Sequence, residues 1–442
     1  MKTDVLIVGS GCSALYMALH LPEDLNILMV TKKEAELSDS FLAQGGICML
    51  RNEDDYDSYF EDTMKAGHYE NDAYSVELMI KSSPDVIHDL INYGVDFERN
   101  EDGSLAFTRE GAHSQKRILY HEDITGKEIT RHLLEKVRQK KNVTLLENTP
   151  LVDLIVRGNV ALGGVIKRNN QEEKVYAKKV VLAPGRDGSA WLTKVLSNQG
   201  LKLYNNQVDI GVRVETSNIV MEEINKNLYE GKFVYNTSVG TKVRTFCSNP
   251  SGHVVIENHS GTMLANGHAY HDPKLGSKNT NFALLVSHTF SEPFNEPNEF
   301  AHEISRLANK LSNGSVIVQR YGDIKRGRRT TYKRLKEGYT EPTLPEAVPG
   351  DLGLVLPYNT MKSIIEMIEA LDNVTPGIAN EHTLLYGVEA KFYSARPKVR
   401  DGFESEIDDL YVAGDGAGLT RGLAQAGANG ILVARHIVEN IK

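Results

Sequence analysis

Cysteine is scarce. Cys12, Cys48 and Cys247 are the only three in 442 residues, and no CxxC step occurs. An odd, scattered set excludes a disulfide framework or a thiolate metal site and suits a reducing cytoplasm. HExxH and acidic clusters at calcium spacing are missing too, so no metal is expected. Long hydrophobic runs are also absent. Nothing approaches the ~20 apolar residues of a membrane span. The first apolar run, Val5 to Val8, is too short for a signal peptide. Positive charge is in deficit: 50 Lys and Arg face 59 Asp and Glu, for a formal net charge of −9. That balance is poor for dedicated binding to nucleic acid or an anionic membrane. The expectation is a soluble, cytoplasmic protein with a small-molecule substrate.

What is present begins with a βαβ pattern. Asp4 to Val8 is an apolar strand, Gly9-x-Gly11-x-x-Ala14 turns into a helix, and Leu25 to Val30 is a second buried strand. Uninterrupted apolar strands alternating with helices predict a parallel sheet covered on both faces. In such a turn the first glycine permits the sharp bend, the second lets the backbone approach a pyrophosphate, and the small third residue lets helix and strand pack closely. The helix N-terminus then faces the phosphates. The second strand ends in Thr31-Lys32-Lys33, without the usual early acid; these lysines alone would suit a 2′-phosphate.

The other end of the chain decides for flavin. Leu410 to Ala413 is an apolar strand running into Gly414-Asp415-Gly416, followed by Gly427-Ala428-Asn429-Gly430 and a helix over 430–441. A carboxylate at a strand end suits ribitol hydroxyls, and a helix N-terminus beyond it suits the pyrimidine edge of a flavin ring. The pair of motifs predicts FAD. The expected fold is α/β: a doubly wound, Rossmann-like FAD-binding domain over 1–205 and 346–442, with an inserted β-rich α+β cap over 206–345. Within the cap, 243–248, 254–258 and 262–265 read as short strands separated by hairpin chemistry. The substrate site is expected beside the flavin ring, where the domains meet.

Several strings extend this reading. They are Ser40-Phe41-Leu42-Ala43-Gln44-Gly45-Gly46-Ile47, Glu61-Asp62-Thr63, Thr108-Arg109-Glu110-Gly111-Ala112-His113-Ser114 and Arg117-Ile118-Leu119. Through them the first 160 residues resemble the L-aspartate oxidase family and, more distantly, the flavoprotein subunits of succinate dehydrogenase and fumarate reductase. Together with the opening glycine turn and the late Gly-Asp motif, that resemblance implies an FAD site built from Gly9, Gly11, Cys12, Ser13, Ala14, Thr31, Lys32, Ser38, Ser40, Gln44, Gly45, Gly46, Val152, Ala183, Gly185, Gly414, Asp415, Asn429 and Gly430. The respiratory relatives attach FAD covalently to a His; Asp39 stands at that place, which implies noncovalent FAD. From about Val180 onward the chain instead resembles a family of FAD-dependent dehydrogenases. That likeness rests on Ala183-Pro184-Gly185-Arg186, Val243-Arg244-Thr245-Phe246-Cys247 and Gly327-Arg328-Arg329-Thr330-Thr331. The oxidase family's cap signatures are absent.

Removing hydride next to a carboxylate requires an anion clamp, a proton acceptor and the flavin at the reacting carbon. Arg109, Glu110 and His113 are the first candidates; in the resembled oxidases the Glu matching Glu110 lies near substrate. Equally, Arg109 and Glu110 pair structurally and His113 packs. The basic run 325–336 reads as a solvated face, or supplies Arg328 or Arg329 to a substrate carboxylate. His268, near Tyr270, is a further candidate. The functional expectation is an FAD-dependent oxidoreductase acting on a small carboxylate- or amine-bearing substrate, with oxygen or another electron acceptor. The alternatives are a flavin-dependent C=C reductase, or a flavoprotein subunit of an electron-transfer or RNA-modifying assembly. Oligomerisation is left open.

Overall fold

A computed structural model describes residues 1–43, 45–66, 69, 71, 73–109, 113–122, 124–227, 231–259, 261–270, 272–420 and 422–441. The chain forms two compact units, Met1–Asn205 with Ser394–Lys442, and Asn206–Tyr393.

The first unit is built on strand β1 (Lys2–Val8), helix α1 (Cys12–His20) and strand β2 (Ile27–Val30). β1 lies between β2 and Gln171–Leu182, parallel to both, and β2 continues to Val143–Leu146. Val5 to Val8 are all buried, and the two faces of β1 feed different cores. Val5 and Ile7 join α1 and the closing helix in one apolar cluster, whereas Leu6 and Val8 join Leu154, Val180 and Leu196 in another. This period of two, apolar on both faces, is why the strand reads as an unbroken hydrophobic run. The outer edge of Gln171–Leu182 is shared. Its first half pairs antiparallel with Val160–Arg168, and its last three residues pair parallel with Leu410–Val412. The first and last motifs of the chain therefore meet at one end of one sheet.

The closing helix spans Leu423–Asn440, seven residues longer at its start than expected. Gln425 accepts the Gly422 N–H at its beginning. Asn429 and Gly430 thus sit inside the helix rather than before it. A Cβ on Gly430 would lie 2.5 Å from the Ser13 carbonyl oxygen, so this glycine exists to bring the helix against α1.

The second unit is a seven-stranded sheet in the order Val234–Asn236, Lys242–Asn249, Asn279–His288, Val208–Ser217, Leu384–Lys391, Ile317–Arg320 and Val348–Pro349. One face packs on helices Pro297–Leu311 and Tyr358–Asp372 through Val212, Leu284, Ile304 and Ile364. The expected boundary at 346 is corrected to 393/394. Leu384–Lys391 hydrogen-bonds between Val208–Ser217 and Ile317–Arg320, which commits it and the helix before it to this sheet. The turn at 249–252 does not close a hairpin. Lys242–Asn249 pairs with Asn279–His288, and the two-stranded ribbon is His253–His259 with Thr262–His268.

Candidate functional site

The turn after β1 has the geometry the sequence requires, for partly different reasons. Gly9 has φ +125°, and a Cβ there would sit 1.9 Å from the Ala183 carbonyl oxygen. This glycine is dictated by the neighbouring strand end. Gly11 has ordinary backbone (φ −75°), and its Cβ would only brush Ser40 Oγ at 3.3 Å; its absence leaves an open approach. The Cys12 N–H is donated to Ser40 Oγ at 3.0 Å. The N–H groups of Gly11, Ser13 and Ala14 have no acceptor among the described residues. Unpartnered N–H groups at the positive end of a helix form a cradle for an anion.

Thr31, Lys32, Ser38, Ser40 and Gly185 line the same cleft as Gly9 and Gly11. Lys32 Nζ pairs with Asp187 Oδ2 at 2.8 Å and Lys33 joins at 3.6 Å. The Lys32 ammonium holds the Asp187 carboxyl below the usual carboxylate range. Asp39 accepts the Asp187 N–H at 3.2 Å. Asp187 and Trp191, which completes the cleft wall, were not anticipated from sequence. The only signals were that Trp191 is the one tryptophan in the chain and that Asp187 closely follows Gly185.

The late motif reaches the opening one through a single side chain. Asn429 Oδ1 accepts the Gly414 N–H at 2.9 Å and the Ser13 hydroxyl at 3.2 Å. Its Nδ2 is buried and unpartnered among the described residues. Asp415 Oδ2 accepts from Arg186 Nε at 2.8 Å and Nη2 at 2.7 Å, a two-pronged ion pair. Cys12 lies behind the turn, buried, with its sulfur 3.7 Å from the Leu423 carbonyl; burial pushes its thiol up to about 12. Gly46 is tight for a structural reason, since a Cβ there would meet Ile118 Cγ2 at 2.3 Å. Gly45 is exposed. Val152 lies in the strand Leu151–Arg157, and Pro150 and Leu151 line the cleft instead. Gln44 falls outside the described residues.

Residues 4–207 match the FAD binding domain, and residues 207–392 match the "FAD-dependent protein, C-terminal domain-like" family. The first half of this chain is an FAD binding domain. It is 45% identical to L-aspartate oxidase of Clostridium perfringens over 210 residues, 48% of this chain and 47% of that protein. It is 40% identical to the Clostridium acetobutylicum L-aspartate oxidase over 199 residues, 45% of each. The matched segment thus spans about half the length of these curated relatives. Among solved structures, a quinol fumarate reductase chain of E. coli aligns with TM-score 0.57 at 17% identity, covering 99% of this chain and 70% of that one. The 3-ketosteroid delta1-dehydrogenase of Sterolibacterium denitrificans aligns with TM-score 0.51 at 12% identity, covering 99% of both. These two likenesses concern the fold. The matched FAD binding domain covers the glycine turn and the cleft that Gly9, Gly11, Thr31 and Ser40 line.

The expected substrate residues are less united. Arg109 is exposed, and Glu110 falls outside the described residues. His113 is engaged on both ring nitrogens, Nδ1 at 3.1 Å from Arg117 Nη1 and Nε2 at 3.4 Å from Cys48 Sγ. Arg117, fully buried, pairs with Asp55 at 2.7 Å and Asp62 at 2.5 Å. Burial opposes the charge on Asp55, but Arg117 and Arg51 outweigh it and hold the carboxyl at about 2. In the second unit, Arg328 Nε is tied to the buried Asp323 at 2.8 Å, and Arg329 is exposed. His268 sits edge-on to Tyr270 at 4.7 Å. Sequence reasoning missed the fully buried pair of Arg213 and Glu389, closed by two bonds of 2.8 and 2.7 Å inside the sheet.

Proposed function

We propose that this chain is an FAD-dependent oxidoreductase that removes hydride from a small carboxylate- or amine-bearing substrate, with the cofactor held noncovalently. Bound FAD supplies the two-electron acceptor. The observation that carries the reading is the Ser13–Asn429–Gly414 link, which joins the opening glycine turn to the late Gly-Asp motif. The open N–H groups after Gly9 would take the pyrophosphate, Asp415 would take hydroxyls, and Arg186 aims that carboxylate through its two-pronged pair. Asp39, bonded to the Asp187 N–H, stands at the covalent-attachment place of the respiratory relatives and offers no attachment chemistry.

Substrate is read more coarsely than cofactor, because the likeness to L-aspartate oxidases covers only the first half of the chain. Arg109, exposed, is the proposed clamp for a substrate carboxylate, and Glu110, next to it in the sequence, is the proposed partner in that chemistry. His113, bonded on both nitrogens, is a positioning residue in this scheme rather than a proton acceptor. The test is aerobic addition of L-aspartate to purified yellow protein. Bleaching of the visible flavin band with peroxide release supports the aspartate reading. Bleaching only with another carboxylate or amine rejects aspartate and keeps the broader reaction. A colourless protein that cannot be reconstituted with FAD overturns the proposal.

A further inference from the structure

The pairing of Ile47–Cys48 with Ile118–Leu119 sets Cys48 opposite Ile118, with its sulfur against the His113 ring. Arginine has donors only, so the 3.1 Å contact from Arg117 Nη1 makes His113 Nδ1 the acceptor. The ring proton then sits on Nε2 and points at Cys48 Sγ, 3.4 Å away. The orientation is fixed from behind. The buried guanidinium is held by Asp55, Asp62 and the Ser58 hydroxyl, with its carbon 4.9 Å from the Tyr59 ring centroid. Asp55 and Asp62 offset the guanidinium charge, so the directed N–H, rather than a long-range field, is what would stabilise negative charge developing on the Cys48 sulfur during reaction.

A second feature points to a modified state. The Tyr59 hydroxyl is buried and faces the Cys48 sulfur, a weak acceptor that it meets outside good hydrogen-bonding geometry, with its ring edge-on to His113 at 5.5 Å. Burial first, and the Cys48 sulfur next, push this phenol well above its ordinary range, so it persists as a donor. A buried donor left with a weak, poorly aligned sulfur acceptor is costly. An oxygen on Cys48 would give it a stronger one. The other two cysteines differ. Cys12 is buried with its thiol pushed up to about 12. The Cys247 sulfur receives a 3.7 Å contact from the neutral Asn249 amide.

We propose that Cys48 is a reactive thiol and a site of oxidation by hydroperoxides. The thiolate sulfur attacks one peroxide oxygen, an S–O bond forms and the O–O bond breaks. The second oxygen leaves as hydroxide from hydrogen peroxide, or as alkoxide from an organic hydroperoxide, and takes a proton to become water or the alcohol. Sulfur is oxidised by two electrons to sulfenic acid, and the peroxide is reduced. This inference does not rest on the substrate reading above.

The test uses the purified, FAD-loaded protein with hydrogen peroxide and dimedone, and separately with iodoacetamide, both read by peptide mass spectrometry. Dimedone is expected on Cys48, and carbamidomethylation of Cys48 at least ~10-fold faster than of Cys247 in the same molecules. No dimedone on Cys48, or comparable rates at the two cysteines, overturns the proposal. His113→Ala is expected to slow Cys48 alkylation about tenfold, whereas His113→Gln, which keeps one donor and one acceptor, stays within ~3-fold of the parent. An unchanged rate in His113→Ala also overturns it. If that variant does not fold, the parent's two measurements decide alone.

Discussion

At the residue scale, the strongest constraints are two close approaches and one buried charge cluster. Gly9→Ala would place a Cβ 1.9 Å from the Ala183 oxygen at φ +125°. The expected loss is ~3 kcal/mol, read as a lower urea midpoint with unchanged slope. Asp415→Asn removes the carboxylate that Arg186 grips. FAD affinity should fall about tenfold, measured by titrating apoprotein with FAD. Arg117→Ala leaves the part-buried Asp62 without its cation and the buried Asp55 with Arg51 alone, and should cost about 3–5 kcal/mol. It should also change the acid limb of stability. The folded carboxyl of Asp55 lies at about 2, below the ~3.9 of an unfolded chain, so its contribution is complete above that higher value and fades as pH falls toward the lower one. Urea unfolding across that window should steepen by ~2 kcal/mol in the parent relative to Arg117→Ala. Equal pH dependence in the two proteins would refute the role given to this pair.

At the element scale, the closing helix is the informative case. Its sequence contains Gly427 and Gly430, and glycine in a helix interior costs ~1 kcal/mol relative to alanine. A propensity argument therefore starts the helix late. Packing overrides it, because a side chain at 430 would meet the Ser13 carbonyl and the Met17 amide of α1. Gly430→Val should thus both destabilise the first unit and loosen the N–H cradle at the start of α1. A fall in FAD affinity together with a lower thermal midpoint is expected. A gain in stability, as propensity alone would give, would show that helix packing does not set this position.

At the scale of the whole molecule, two units with separate apolar clusters predict that cofactor acts unevenly. The FAD-contacting residues proposed above all lie in the first unit. FAD at ~100 times its dissociation constant should stabilise that unit by about 2.7 kcal/mol. Hydrogen exchange followed by peptide mass spectrometry should then show protection gained in β1, α1 and the closing helix, and little in the 208–217 and 384–391 strands. Equal protection in both units would contradict this assignment.

The sequence by itself determined the opening strand, glycine turn and helix, the alternation of β1 between two cores, and the FAD character of the two end motifs. These are written in residues a few positions apart, where backbone conformation and hydrophobic period are local properties. It could not determine partners distant along the chain. Ser13 and Asn429 are 416 positions apart, and Cys48 and His113 are 65 apart. Their meeting depends on which strand lies beside which. The same reason moved 346–393 into the second unit: only the hydrogen bonds of Leu384–Lys391 to Val208–Ser217 and Ile317–Arg320 show which sheet that segment completes. Local chemistry specified the parts; long-range pairing in two sheets decided which side chains share a site.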